Sequence, residues 1–180
     1  KTVIANAWGE MCHKTGMNFD DMYKAWSLAT DRLISPRYMN AGMSDGRSCH
    51  PRDNIALSHI SKEVGMSHNL WEDLMSARED HVDWLAQLTL DKATEEELPI
   101  VILGRWFKPE TNIETGSGGI LLANMLKEKG AHPQHYEDLE GLPQKAVYFI
   151  GTAHERYKDF KFPNGSVVLD PHGIIQDRDN

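Results

Sequence analysis

The segment Gly46-Arg47-Ser48-Cys49-His50-Pro51-Arg52-Asp53-Asn54 carries the residue types best suited to chemistry. Pro51 reads as the first residue of a helix, since proline's missing N–H costs nothing there. The Cys49 thiol then lies just ahead of a helix N-terminus, where unpaired amides and the positive end of the helix dipole favour thiolate over thiol. Arg47 and Arg52 act in the same direction. Asp53, one helical turn on, can order a water or take a proton, so Cys49 and Asp53 form a candidate nucleophile and base. A loop cysteine taken by itself is more often a small packing side chain, and Cys12, which continues an apolar helical stripe, reads as that. His50 beside Cys49 suggests a metal pair, but no further ligands fall at zinc spacings, and the expectation is no metal. An unrelated cysteine hydrolase would need a histidine brought to Cys49 from elsewhere, and the sequence identifies none.

The elements that must position these groups fall into two kinds. Val3, Ile4, Ala7, Trp8, Met11 and Cys12 recur at helical spacing, so the chain opens inside a helix, ended by Gly16. Asn18 caps a second helix bearing Met22, Tyr23 and Trp26. A loop rich in Gly, Ser and Asn runs from Ser35 to Cys49. From Pro51 a third helix carries the apolar positions Ile55, Ala56, Ile60 and Val64 at helical spacing before Gly65 ends it. Ser67 is expected to cap a long fourth helix with Trp71, Leu74, Met75, Val82, Leu85 and Leu88 inside. After Glu95-Glu96-Glu97 the pattern changes to continuous apolar runs at 99–103, 146–150 and 166–169, which read as buried strands of a parallel sheet. A helix from Ile120 to Glu128 and a short strand at His135-Tyr136 complete a βαβ pattern. The expected class is α/β, with an all-α part over 1–94 and a small α/β part over 95–180.

With 180 residues, 40% of them hydrophobic, the chain supports one ordinary domain or two small ones. Twenty-seven acidic against nineteen basic side chains give a net charge of -8, which argues against a general nucleic-acid binder. Two cysteines in unlike surroundings make no disulfide framework and suggest a reducing compartment. No apolar run approaches the roughly 20 residues that span a bilayer. A cytoplasmic protein is expected.

The cysteine segment resembles the Gly-Gly-x-Cys-x-Pro-Lys-Asp loop of nucleotide-sugar dehydrogenases of the UDP-glucose/GDP-mannose family. Upstream, Asn6, Met11, Cys12, Gly16 and Asp20-Asp21 are similar to that family's Asn-Glu and Leu-Cys-Glu helix and the start of the next. Downstream, Gly104-Arg105-Trp106-Phe107-Lys108-Pro109-Glu110-Thr111 is similar to its Gly-x-x-Phe-Lys-Pro-x-Thr. The resemblance covers essentially the whole chain. It implies a helical dimerisation domain followed by a Rossmann-like nucleotide-sugar-binding domain with a mostly parallel sheet. It further implies oxidation of the C6 alcohol of a UDP- or GDP-hexose to a uronic acid in two hydride transfers to NAD. In that scheme Cys49 forms a thiohemiacetal and then a thioester, and Asp53 assists proton transfer or positions water. Lys108, Gly46 and Arg47 would contact the nucleotide sugar, and Arg32 would reach it across a homodimer interface. Trp71 and Trp84 would face the second subunit, or within one chain be core aromatics.

The sequence departs from the family pattern at Arg47, which stands at the second glycine, and at Asp45, where an aromatic residue is usual. Thr115 stands for an arginine, and another arginine is replaced around Pro171-His172. Gly116-Ser117-Gly118-Gly119 lacks the spacing of a dinucleotide-binding loop. NAD is therefore expected to bind the full-length enzyme through a domain outside this chain, together with the family's catalytic Lys and Asn, and the chain by itself is not expected to turn over. A nucleotide-sugar-binding or dimerisation module without activity is the alternative.

Overall fold

A computed structural model describes residues 1–30, 39–43 and 49–175, without the side chains of Ala7 and Met11. The expectations placed on Arg32, Gly46 and Arg47 lie outside the described residues, as do those on Asp45 and Ser48.

Helix α1 spans Thr2–Thr15 and closes on Gly16, whose φ of 71° places it in the left-handed region that glycine adopts without strain. Helix α2, Phe19–Ser27, starts where the Asn18 side chain accepts the Asp20 amide at 2.8 Å. Helix α3, Cys49–Glu63, begins two residues earlier than Pro51 suggests. The reason is that any first-turn amide lacks an intrahelical acceptor, so proline fits throughout that turn. Helix α4, Leu70–Glu95, is capped by Asn69 rather than Ser67. The Asn69 carboxamide accepts the Glu72 amide and also donates to Ser58 Oγ at 2.8 Å, tying α4 to α3.

The apolar positions of α3 are not buried by the rest of the described residues. Ile55, Ile60 and Val64 are 60%, 52% and 67% exposed, while Ser61 is buried and its hydroxyl donates to the Leu57 carbonyl at 2.8 Å. These apolar side chains are left facing outward.

Four short strands follow: β1 Ile100–Leu103, β2 Gln134–Tyr136, β3 Val147–Ile150 and β4 Val167–Leu169. They form one fully parallel sheet in the order β2-β1-β3-β4. Helix α5, Gly118–Glu128, crosses from β1 to β2, its first turn capped by Ser117, and a single-turn helix α6, Glu155–Lys158, follows β3. The period-two alternation of strand side chains divides the core in two. Ile100, Ile102, Val147 and Phe149 pack on one face with Val82, Leu85, Ala86 and Ala93 of α4 and with Leu122 and Leu126 of α5. Val101, Leu103, Tyr148 and Ile150 pack on the other with Tyr157, Phe162 and Ile175. Each large apolar side chain so buried stabilises the fold by about 1.5–3 kcal/mol.

Two consequences bear on the site. Met43, from the segment before Cys49, is buried in the first of these clusters. Trp84 lies within the chain, with the rings of His13 and His81 at 5.6 and 5.4 Å, so its surroundings are those of a core aromatic. Among the described residues, no helix is long and apolar enough to cross a membrane.

Candidate functional site

Cys49 is half-buried in the first turn of α3, in contrast to Cys12, which is 2% exposed on α1. Asp53 follows one turn later and is exposed. Its carboxylate is held by Arg52, whose Nε donates to Oδ1 at 2.9 Å and whose Nη2 lies 2.8 Å from the same oxygen. That hydrogen bond, with the attraction behind it, raises the guanidinium pKa above its usual value. Arg52 therefore stays charged beside both the thiol and the carboxylate.

Lys108 lies in the loop that leaves β1, exposed, with its ammonium 5.3 Å from the Phe107 ring centre. Internal bonds keep the loop in place: Arg105 Nε to Glu114 at 2.6 Å, the Phe107 amide to the Ile113 carbonyl at 3.0 Å, and Ser117 Oγ to the Arg105 carbonyl at 2.6 Å. Thr152, just past β3, donates to the Trp106 carbonyl at 2.6 Å. Glu137, at the end of β2, accepts the Arg105 amide at 2.6 Å on one oxygen. Its other oxygen faces Arg156 at 3.1 Å and His154 Nε2 at 2.7 Å. Burial lowers the pKa of His154 against the pull of Glu137.

A cavity of about 580 Å³ opens between α1, the segment 39–43, α4 and the turn after β4. Asn6, Glu10, Gly42, His81 and His172 are among its walls, with the Phe160 and Phe162 rings. The structure thus builds a mixed, aromatic-sided hollow around Gly42, seven positions before Cys49. Cys49, Asp53 and Lys108 are not among its lining residues, so the sequence-derived site residues are not brought together there. Sequence reasoning missed Asn6, His81 and Glu137 as organising residues. His81 directly precedes Val82 in the α4 apolar stripe, which is the one signal that could have marked it as internal.

The α/β part does not fit a dinucleotide. A Cβ on Gly119 would stand 2.5 Å from the Gly104 carbonyl oxygen, and one on Gly151 would stand 3.0 Å from the same atom. These glycines serve close packing between α5 and the strand ends, not approach of a pyrophosphate. The acidic residue that ends β2, the position that binds ribose in dinucleotide folds, is here consumed by Arg105, His154 and Arg156. Among the described residues, no group of three or more His, Cys, Asp or Glu side chains is placed to hold a metal ion.

Residues 1–79 match the central domain of the UDP-glucose/GDP-mannose dehydrogenase family. The chain is 27% identical over 160 residues to UDP-glucose 6-dehydrogenase TuaD of Bacillus subtilis, covering 88% of this chain and 34% of that protein. It is 25% identical over 173 residues to UDP-glucose 6-dehydrogenase of Rhizobium meliloti, covering 94% of this chain and 39% of that protein. The chain therefore spans little more than a third of the length of these relatives. Its fold is similar to that of a UDP-glucose dehydrogenase from the archaeon Pyrobaculum islandicum, with a TM-score of 0.81, 22% identity, and coverage of 96% of this chain and 44% of that one. A GDP-mannose dehydrogenase from Pseudomonas aeruginosa has a TM-score of 0.67 and 22% identity, over 97% of this chain and 47% of that one.

Proposed function

We propose that this chain, which belongs to the UDP-glucose/GDP-mannose dehydrogenase family, carries the nucleophile of a nucleotide-sugar 6-dehydrogenase that converts a UDP- or GDP-hexose to its uronic acid. The observation that carries the proposal is the contrast between the two thiols: Cys49 is half-exposed in a helix's first turn with Asp53 on the next, and Cys12 is buried at 2% exposure. In the proposed reaction the Cys49 thiolate adds to the C6 aldehyde carbon, forming the C–S bond of a thiohemiacetal. In the last step water adds to a thioester carbonyl, the C–S bond breaks, and the electron pair returns to Cys49 as the thiolate while Asp53 takes the water's proton. The two oxidations, alcohol to aldehyde before the addition and thiohemiacetal to thioester after it, each give a hydride and a proton to an acceptor system, NAD in this proposal, for which the described residues form no cradle. Lys108, Gly46, Arg47 and Arg32 are assigned to substrate. The division into a helical part, 1–94, and a nucleotide-sugar-binding part, 95–180, belongs to the same proposal.

Alkylation tests it. In the native protein Cys49 should react with iodoacetamide at least about tenfold faster than Cys12, because a buried thiol must wait for local opening. UDP-glucose or GDP-mannose should slow the Cys49 reaction. Equal, slow labelling of both thiols would overturn the assignment. A module that binds without turnover is the second reading, favoured by the absence of Cys49 from the cavity wall; sugar binding with no effect on Cys49 would select it.

The homodimer is proposed through the helical part, and the outward stripe of α3 supports it. Leu57, Ile60 and Val64, exposed at helical spacing, form an apolar surface that a second subunit would cover. Ile60→Glu with Val64→Glu should leave a folded monomer in sedimentation velocity, whereas a persisting dimer would place the interface elsewhere.

A further inference from the structure

Residues 39–43 are held from several sides. Met39 and Met43 are both buried, at 5% and 6% exposure. Between them, Gly42 has both backbone groups engaged by side chains from distant elements. Its amide donates to Asn6 Oδ1 on α1 at 3.1 Å, and its carbonyl lies 3.2 Å from His81 Nε2 on α4. Both partners are buried, Asn6 at 4% exposure and His81 at 7%. The third side is closed from the α/β part, where a Cβ on Gly42 would stand 3.2 Å from His172 Nδ1. His172 is itself set by Asp170, whose carboxylate accepts the amides of His172 at 3.1 Å, Gly173 at 3.0 Å and Ile175 at 2.7 Å. On α1, Gly9 admits the segment: a Cβ there would meet Ala41 Cβ at 2.8 Å.

We infer that Asn6 and His81 are positioning residues that clamp the Gly42 peptide, with His172 as the stop behind it, and thereby set the point from which the chain runs on to Cys49. The clamp rests on the proposed role of Cys49 for its consequence but not for its existence. A half-buried peptide whose amide and carbonyl are both engaged by buried side chains is costly to displace, since each lost partner leaves a buried donor or acceptor unpaired. The His81 bond requires the proton on Nε2, which leaves Nδ1 facing Glu10 at 3.7 Å and the cavity. Three elements far apart in sequence, α1, α4 and the turn after β4, converge on one peptide. A displacement of either part of the fold therefore moves this peptide, seven positions before the thiol.

Two measurements on the full chain test this, with circular dichroism to confirm folding. The first is hydrogen exchange at Gly42, which should be protected in the wild type and lose at least about tenfold of that protection in Asn6→Ala and His81→Leu. The second is the rate and pH profile of Cys49 alkylation. His81→Leu should change the rate by about tenfold, on the scale that small misplacements cost a reactive group, and His81→Gln, which keeps a donor at similar reach, should restore it. Unprotected exchange at Gly42 in the wild type would overturn the clamp. Folded Asn6→Ala and His81→Leu variants with unchanged Cys49 kinetics would overturn the positioning role. Wild-type Cys49 no faster than Cys12 would defeat the nucleophile assignment and that role together, while the exchange result still decides whether the clamp exists.

Discussion

Taking the protein from about pH 7 to about pH 5 should measurably lower its stability. Four histidines carry the effect. His81, His135, His154 and His172 each have a pKa lowered first by burial. Glu10 opposes the shift at His81 and Asp170 at His172. At His154 Glu137 and Glu110 oppose it while Arg156 adds to it, and at His135 Glu137 opposes it while Arg105 and Lys127 add to it. Because these imidazoles charge less readily folded than unfolded, the unfolded chain binds more protons below its histidine pKa of about 6.5. Their contribution is therefore complete above that pH and is lost as pH falls towards the lowered folded values, at a rate of at most about 1.4 kcal/mol per pH unit for each histidine. Urea midpoints measured at several pH values check this. A flat profile between pH 7 and pH 5 would mean that the four rings charge as easily inside the fold as outside it.

Gly104→Ala should cost about 3–5 kcal/mol and lower the thermal midpoint by about 10 °C. Gly104 has φ of 95°, where an L side chain is strained, and its Cβ would stand 2.5 Å from Thr152 Cβ and 2.7 Å from the Thr152 backbone nitrogen. Neither atom can yield cheaply. Thr152 is buried, its amide bonds to the Leu103 carbonyl at 3.3 Å, and its hydroxyl holds Trp106. The Gly104 carbonyl is confined as well, by His135 Nε2 at 2.9 Å and by the close approach of Gly119. Gly130→Ala is the control. Gly130 also has a positive φ, 86°, but nothing lies within 4 Å of its added carbon, so only about 1 kcal/mol should be lost. Equal losses in the two variants would show that backbone strain, and not the junction of β1, β3 and α5, sets the cost.

Much of this architecture is legible in the residues. Runs such as Ile100–Leu103 and Val147–Ile150 are too short for helices and too apolar to be exposed, and both are buried strands at the centre of the sheet. Gly16 and Asn18 mark helix boundaries by mechanism, through a left-handed residue and a side-chain cap. Other features resist this kind of reading. The stripe Ala56, Ile60, Val64 has helical spacing, but periodicity says only that a face is apolar, not whether the same chain covers it. The histidines were unreadable for a related reason. An imidazole is compatible with surface and interior, and burial of His81 and His154 depends on partners such as Gly42 and Glu137 that lie 39 and 17 positions away. For the candidate site, the Cys49 segment and the Lys108 loop stand out by composition, whereas the clamp on Gly42 exists only once α1, α4 and the end of β4 converge.

Helix α4 has one further consequence. It spans Leu70–Glu95, 26 residues, packing on α3 and α1 as well as on α5, β1 and β3. Such a shaft transmits rotational phase. Inserting a single residue midway would turn one set of contacts by about 100° relative to the other and advance it by about 1.5 Å. Only insertions near whole numbers of turns, about seven residues for two, would bring both sets back into phase, and these would still part them by about 10 Å. Along α4 the spacing between the helical layer and the sheet is thus a fixed dimension of the protein. Length changes over evolution belong in its connecting loops.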